Sequence, residues 1–145
     1  MERSLSDKLE MALRVDMAEV ARVLDEVEAF AERHGFPAKK TFQLNLVLDE
    51  LITNIVSYGF EGRTDGGIYL SIAYDKGVVS AELVDNGRAF NPLEAEIPEH
   101  SEDIEERRIG GLGLKFVRTY MDRLDYRRDG AFNRLGLQMN MNAAA

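Results

Sequence analysis

At 145 residues, with 45% hydrophobic and 30% charged residues, the chain suits one domain (1–145) with a real hydrophobic core. A net charge of −8 argues against nucleic acid as a direct partner, since phosphates demand a basic surface. No apolar run approaches the roughly 20 residues of a bilayer span, there is no basic-then-apolar leader, and the lack of cysteine excludes disulfides and thiolate metal sites, so a cytoplasmic protein away from the membrane is expected.

In chain order, Leu9, Met11, Leu13 and Val15 alternate with polar residues and Ala12, as in a half-buried strand. Asp16 offers a helix N-cap with Glu19 as its capping-box partner, and Val20, Val23, Leu24, Val27 and Phe30 follow at helical spacing up to Gly35. Pro37 suits the first turn of a second helix whose apolar face is Leu44, Val47, Leu48, Leu51, Ile52 and Ile55, with Gly59 as its stop. Two strands follow, with Ile68, Leu70, Ile72 and Tyr74 on one face of the first and Val79, Ala81 and Leu83 on one face of the second, joined by a turn at Asp75-Lys-Gly77. Between Glu94 and Arg108 lie seven acids against two arginines, the composition of a solvated, mobile loop. A third helix carries Leu114, Phe116, Val117, Tyr120 and Met121. The chain then closes with a hairpin through Asp129-Gly130, its last strand showing Leu135, Leu137, Met139 and Met141 in strict alternation. This order, with strands linked as hairpins and helices out of regular alternation, favours an α+β two-layer sandwich: a mixed, mostly antiparallel sheet covered on one face by helices.

Three stretches carry chemistry. Glu50 and Asn54 are one helical turn apart and lie beside the apolar arc, at the rim of the core. A carboxylate there can serve as a general base and an amide oxygen as a ligand to a hard cation; an isolated pair of this kind is more often plain helix surface. Asp85 ends a strand two residues before Gly87, so a carboxylate could take the exocyclic amine of a purine where a missing Cβ admits a flat ring; Asp-Asn-Gly is also ordinary turn chemistry. Gly110, Gly111 and Gly113 open a helix, where backbone N–H groups and the helix dipole suit phosphates, with Lys115 one turn in; the plainer reading is an adaptable loop. Together the three are complementary parts of one ATP and Mg²⁺ site.

On these stretches the chain resembles the superfamily of gyrase, heat-shock chaperone, histidine-kinase and mismatch-repair ATPases, with its Bergerat ATP-binding fold; the three stretches look like its N box and two glycine boxes. It is most similar to the small bacterial anti-sigma-factor serine/threonine kinases, over nearly its whole length and most specifically in Asp85-Asn-Gly-Arg-Ala-Phe-Asn-Pro92 and Gly110-Gly-Leu-Gly-Leu114 followed by Tyr120-Met-Asp122. The resemblance implies Glu50 as the general base, Asn54 on Mg²⁺, Asp85 on the adenine amine and Gly87 beside the ring. It implies Gly110, Gly111 and Gly113 around the phosphates, with Phe90, Leu112, Leu114 and Lys115 among the nucleotide-binding residues. The acidic loop becomes an ATP lid (about 91–109), and Arg107 or Arg108 would reach the γ-phosphate. The implied partners are an anti-anti-sigma (antagonist) protein as phosphoryl acceptor, a sigma factor, and a second copy in a homodimer, with the first helix as interface. The alternative is a partner-switching module that binds ATP without transferring phosphate. His34 and His100 lack the context of a phosphorylated histidine and are expected to be incidental.

Overall fold

The structure, a computed structural model, describes residues 7–94 and 112–142, with backbone only at 112–114. The elements are β1 (Asp7–Leu13), α1 (Ala18–His34), α2 (Ala38–Tyr58), β2 (Ile68–Asp75), β3 (Val78–Asp85), α3 (Leu112–Tyr120), β4 (Arg123–Asp129) and β5 (Phe132–Asn140). They follow the expected sequence of strand, helix, helix, two strands, helix, two strands.

The five strands run in the order β1-β2-β3-β5-β4, and every pairing is antiparallel. Inward residues of the strands (Met11, Leu70, Ile72, Leu83, Leu137, Met139) are buried with Val23, Val27 and Phe30 of α1 and Leu44, Leu48 and Ile52 of α2. Their neighbours in sequence, such as Glu10, Tyr69, Ser71, Glu82, Arg134 and Gln138, are exposed or half-buried. One face of the sheet therefore carries the helices and the other meets water, which is what strict polar–apolar alternation encodes. α1 spends its apolar stripe on this core; outward it shows Arg22, Asp25, Glu26, Glu28 and Glu32.

Local chemistry explains the boundaries. Asp16 Oδ1 accepts the Ala18 N–H at 2.9 Å, satisfying one orphan donor of α1. Glu19 does not close a box on Asp16: its carboxylate accepts the Arg14 N–H at 2.8 Å and the Arg22 Nε–H at 2.9 Å, because it is turned inward against the end of β1. At the other end Gly35 (φ 68°) and Phe36 donate to the carbonyls of Glu32 and Ala31, a Schellman ending. The β2–β3 loop is Lys76-Gly77, both at positive φ (52° and 84°), the type I′ pattern that matches strand twist. The last hairpin turns one residue later than the sequence suggests: Asp129 pairs with Phe132, so the loop is Gly130-Ala131, with glycine (φ 59°) first as a type II′ turn requires.

Candidate functional site

Between the C-terminal half of α2 and one end of the sheet lies a cleft. Its walls include Leu51, Asn54, Ile55 and Tyr58 from α2, Leu83 and Asp85 from β3, Tyr126 from β4 and Asn133 and Leu135 from β5; Arg88, Phe90 and Pro92 of the loop after β3 form its rim. Most of this lining is apolar, with the polar groups gathered at the sheet end, the usual composition of a small-molecule site.

Asp85 is the buried carboxylate of this cleft, 5% exposed. Its Oδ1 accepts the Gly87 N–H at 2.9 Å and Asn133 Nδ2 at 3.0 Å. Among the described residues no donor reaches Oδ2, which leaves one strong acceptor for a ligand. Burial pushes the Asp85 carboxyl above its ordinary range; the hydrogen bonds from Asn133 and Gly87 and the charge of Arg128 pull the other way.

Gly87 packs closely against the end of α2. A Cβ at this position would lie 2.7 Å from the Gly59 carbonyl oxygen and 3.0 Å from Asp85 Oδ1. The missing side chain thus admits the backbone at the end of α2, and Arg88 N–H donates to that same Gly59 carbonyl at 3.0 Å. Arg128 Nη1 adds a bond to the Gly87 carbonyl at 2.9 Å. The loop that shapes the rim is therefore pinned to α2, β4 and β5.

Asn54 lines the cleft, and its side chain has no hydrogen-bond partner among the described residues. Glu50, one turn earlier, is half-buried and is not among the lining residues; burial, then the neighbouring Asp49 charge, raise its pKa above the ordinary glutamate value. No group of three or more histidine, cysteine or carboxylate side chains that could cage a metal occurs among the described residues. A single free amide oxygen at a ligand cleft fits Mg²⁺, which keeps several waters and takes its other ligands from substrate phosphates.

Phe90 is 40% exposed at the rim, with its N–H on Asn133 Oδ1 at 3.2 Å. Gly113 does not precede the third helix but belongs to its first turn, and the side chains of Leu112 and Leu114 fall outside the described set. Lys115 is exposed near the start of α3. Gly110, Gly111, Arg107, Arg108, His100 and nearly all of the lid lie outside the described residues. His34 is held by Asp7, with Nε2 2.9 Å from Oδ2, and stacks among Phe30, Phe36 and Tyr74, a structural place.

Sequence reading missed Asn133, Tyr126 and Arg88. A signal for Asn133 exists: it is in phase with Leu135, Leu137 and Met139, so it is a polar residue on the core face, and it pairs directly with Asp85 across β3 and β5.

A sheet with helices on one face and a buried carboxylate in an α2-lined cleft make an α+β domain with a small-molecule site. Residues 13–139 match the family model of the histidine kinase-like ATPase domain, and the chain belongs to that family. It is similar to the serine/threonine-protein kinase BtrW of Bordetella bronchiseptica, 33% identical over 92% of this chain and 93% of that protein. Serine-protein kinase RsbW of Listeria monocytogenes is 32% identical over 82% of this chain and 78% of its own length. Among solved structures, the RsbU and RsbW domains of a Mycobacterium tuberculosis protein superpose with a TM-score of 0.69 at 14% identity, over 96% of this chain; the match spans only 34% of that longer chain and bears on the fold alone.

Proposed function

We propose that the chain is an ATP- and Mg²⁺-dependent protein serine/threonine kinase that also acts as an anti-sigma factor in the cytoplasm. The observation that carries this reading is the Asp85 carboxylate, locked on one oxygen and free on the other, in a cleft whose opposite wall presents an unpaired Asn54. Support for the choice of reaction comes from relatives named serine/threonine-protein kinase and serine-protein kinase, and for regulation from one named anti-sigma F factor, of Bacillus thuringiensis, 27% identical over 68% of this chain.

In this reading Asp85 accepts the adenine amine, and Leu51, Ile55, Leu83 and Leu135 exclude water around the base. Asn54 would hold Mg²⁺ through its amide oxygen, and the ion would supply charge to neutralise the phosphates. Glu50 takes the proton of a serine or threonine hydroxyl on an antagonist protein as that oxygen attacks the γ-phosphorus and ADP leaves. Its raised pKa makes it a stronger base than an ordinary glutamate. The segment at about 91–109 closes over the nucleotide, with Gly110 and Gly111 at the phosphates and Arg107 or Arg108 on the γ-phosphate. Sigma factor and a second copy of the chain complete the assembly. A second reading, an ATP-holding partner switch without transfer, is favoured by Glu50 not being among the residues that line the cleft.

Thermal unfolding with Mg²⁺-ATP tests the site. At 100 times Kd the nucleotide adds about 2.7 kcal/mol to the wild type. That gain is lost in Asp85→Asn and reduced in Asn54→Ala, and its absence from the wild type refutes both readings. Labelled-phosphate transfer to an antagonist, present in the wild type and absent in Glu50→Ala, separates kinase from switch.

A further inference from the structure

Asn133 is 6% exposed, and its amide is fully used. Oδ1 accepts the Tyr126 hydroxyl at 2.6 Å and the Phe90 N–H at 3.2 Å. Nδ2 donates to Asp85 Oδ1 at 3.0 Å and to the Arg88 carbonyl at 2.8 Å. Two donors on one side and two acceptors on the other leave the amide a single workable orientation, since a flip would set its oxygen against the Asp85 carboxylate. With the Gly87 N–H also on Oδ1, the carboxylate cannot rotate without breaking two bonds, and Oδ2 stays presented as an acceptor.

We propose that Asn133, oriented by Tyr126, is the positioning residue that makes Asp85 select 6-aminopurines over 6-oxopurines. The inference rests on the nucleotide-site reading above. A 6-amino group donates to a fixed Oδ2. A 6-oxo group sets oxygen against oxygen, and the base gains a bond only if the carboxylate swings toward its N1–H. Asn133 forbids that swing, so the selectivity belongs to the Asn133–Asp85 pair rather than to Asp85 alone. The same amide holds Arg88 and Phe90 at the rim, which fixes the plane in which the base enters.

The test compares the affinities of ATP and inosine triphosphate in the wild type, Asn133→Leu and Tyr126→Phe, with thermal stability measured separately. The wild type favours ATP by about tenfold or more, the effect of one charge-assisted hydrogen bond. Asn133→Leu brings the two affinities within about threefold of each other, and Tyr126→Phe falls between. A purely structural role weakens both nucleotides together and leaves their ratio intact, so an unchanged ratio in Asn133→Leu overturns the proposal. If that variant does not fold, an unchanged ratio in Tyr126→Phe does so instead. A wild type that binds both nucleotides alike overturns this inference only; one that binds neither overturns the nucleotide site itself.

Discussion

Two carboxylates set opposite trends with pH. Glu19 is nearly buried, and its bonds from Arg22 and then from the Arg14 N–H hold its pKa at about 2, against an ordinary 4.5. A folded-state value below the unfolded one contributes stability above pH 4.5, and this is lost as pH falls toward 2. Glu19→Gln should cost about 1–3 kcal/mol at neutral pH and flatten that acid limb, measured by urea unfolding at pH 7 and pH 3. Glu50 is the reverse case: its raised pKa means the ionised form is disfavoured on folding, a penalty present at neutral pH and relieved as pH falls through the raised value. Glu50→Gln should therefore gain about 0.5 kcal/mol while phosphoryl transfer falls at least ~100-fold, read from unfolding midpoints and labelled-phosphate assays on one preparation. Asp85 stood out in the sequence as a carboxylate at the end of a periodic strand, and Asn54 as an amide beside the apolar arc of its helix. For Asn133 the phase with Leu135, Leu137 and Met139 marks a polar residue on the core face, but its partner does not show, because no local pattern states that β5 lies beside β3.

At the scale of elements, periodicity located every strand and helix of the described residues, while their ends followed side-chain chemistry that periodicity does not show. Glu19 had the spacing of a capping-box partner and went instead to Arg14, since β1 delivers that N–H to it. The final turn moved by one residue because glycine is needed at the first loop position. Where α2 meets the loop after β3, the tolerance is smallest. Gly87→Ala would place a methyl 2.7 Å from the Gly59 carbonyl and close to Asp85 Oδ1, so helix end and carboxylate must both shift. We expect a loss of about 1–3 kcal/mol in stability together with weakened nucleotide binding, checked by thermal unfolding and calorimetric titration. Mutation of a half-buried glycine such as Gly67, whose Cβ would meet nothing within 4 Å, provides the control.

Over the whole molecule, the antiparallel sheet leaves one side to the helices and gathers the site at a single end, with Asp85 and Asn133 as direct cross-strand partners. Their pairing joins positions 48 residues apart in sequence, and β5 enters between β3 and β4 rather than at an edge. Closing so long a loop is entropically late, after the local β2–β3 and β4–β5 hairpins have formed. During synthesis, then, the cleft stays open on one side until β5 has emerged and paired with β3. A copy cut before β5 keeps Glu50, Asn54 and Asp85 but loses Leu135 from the cleft wall and Asn133, the amide that holds the Asp85 carboxylate and the Phe90 N–H, so the cleft takes its shape only once β5 is in place.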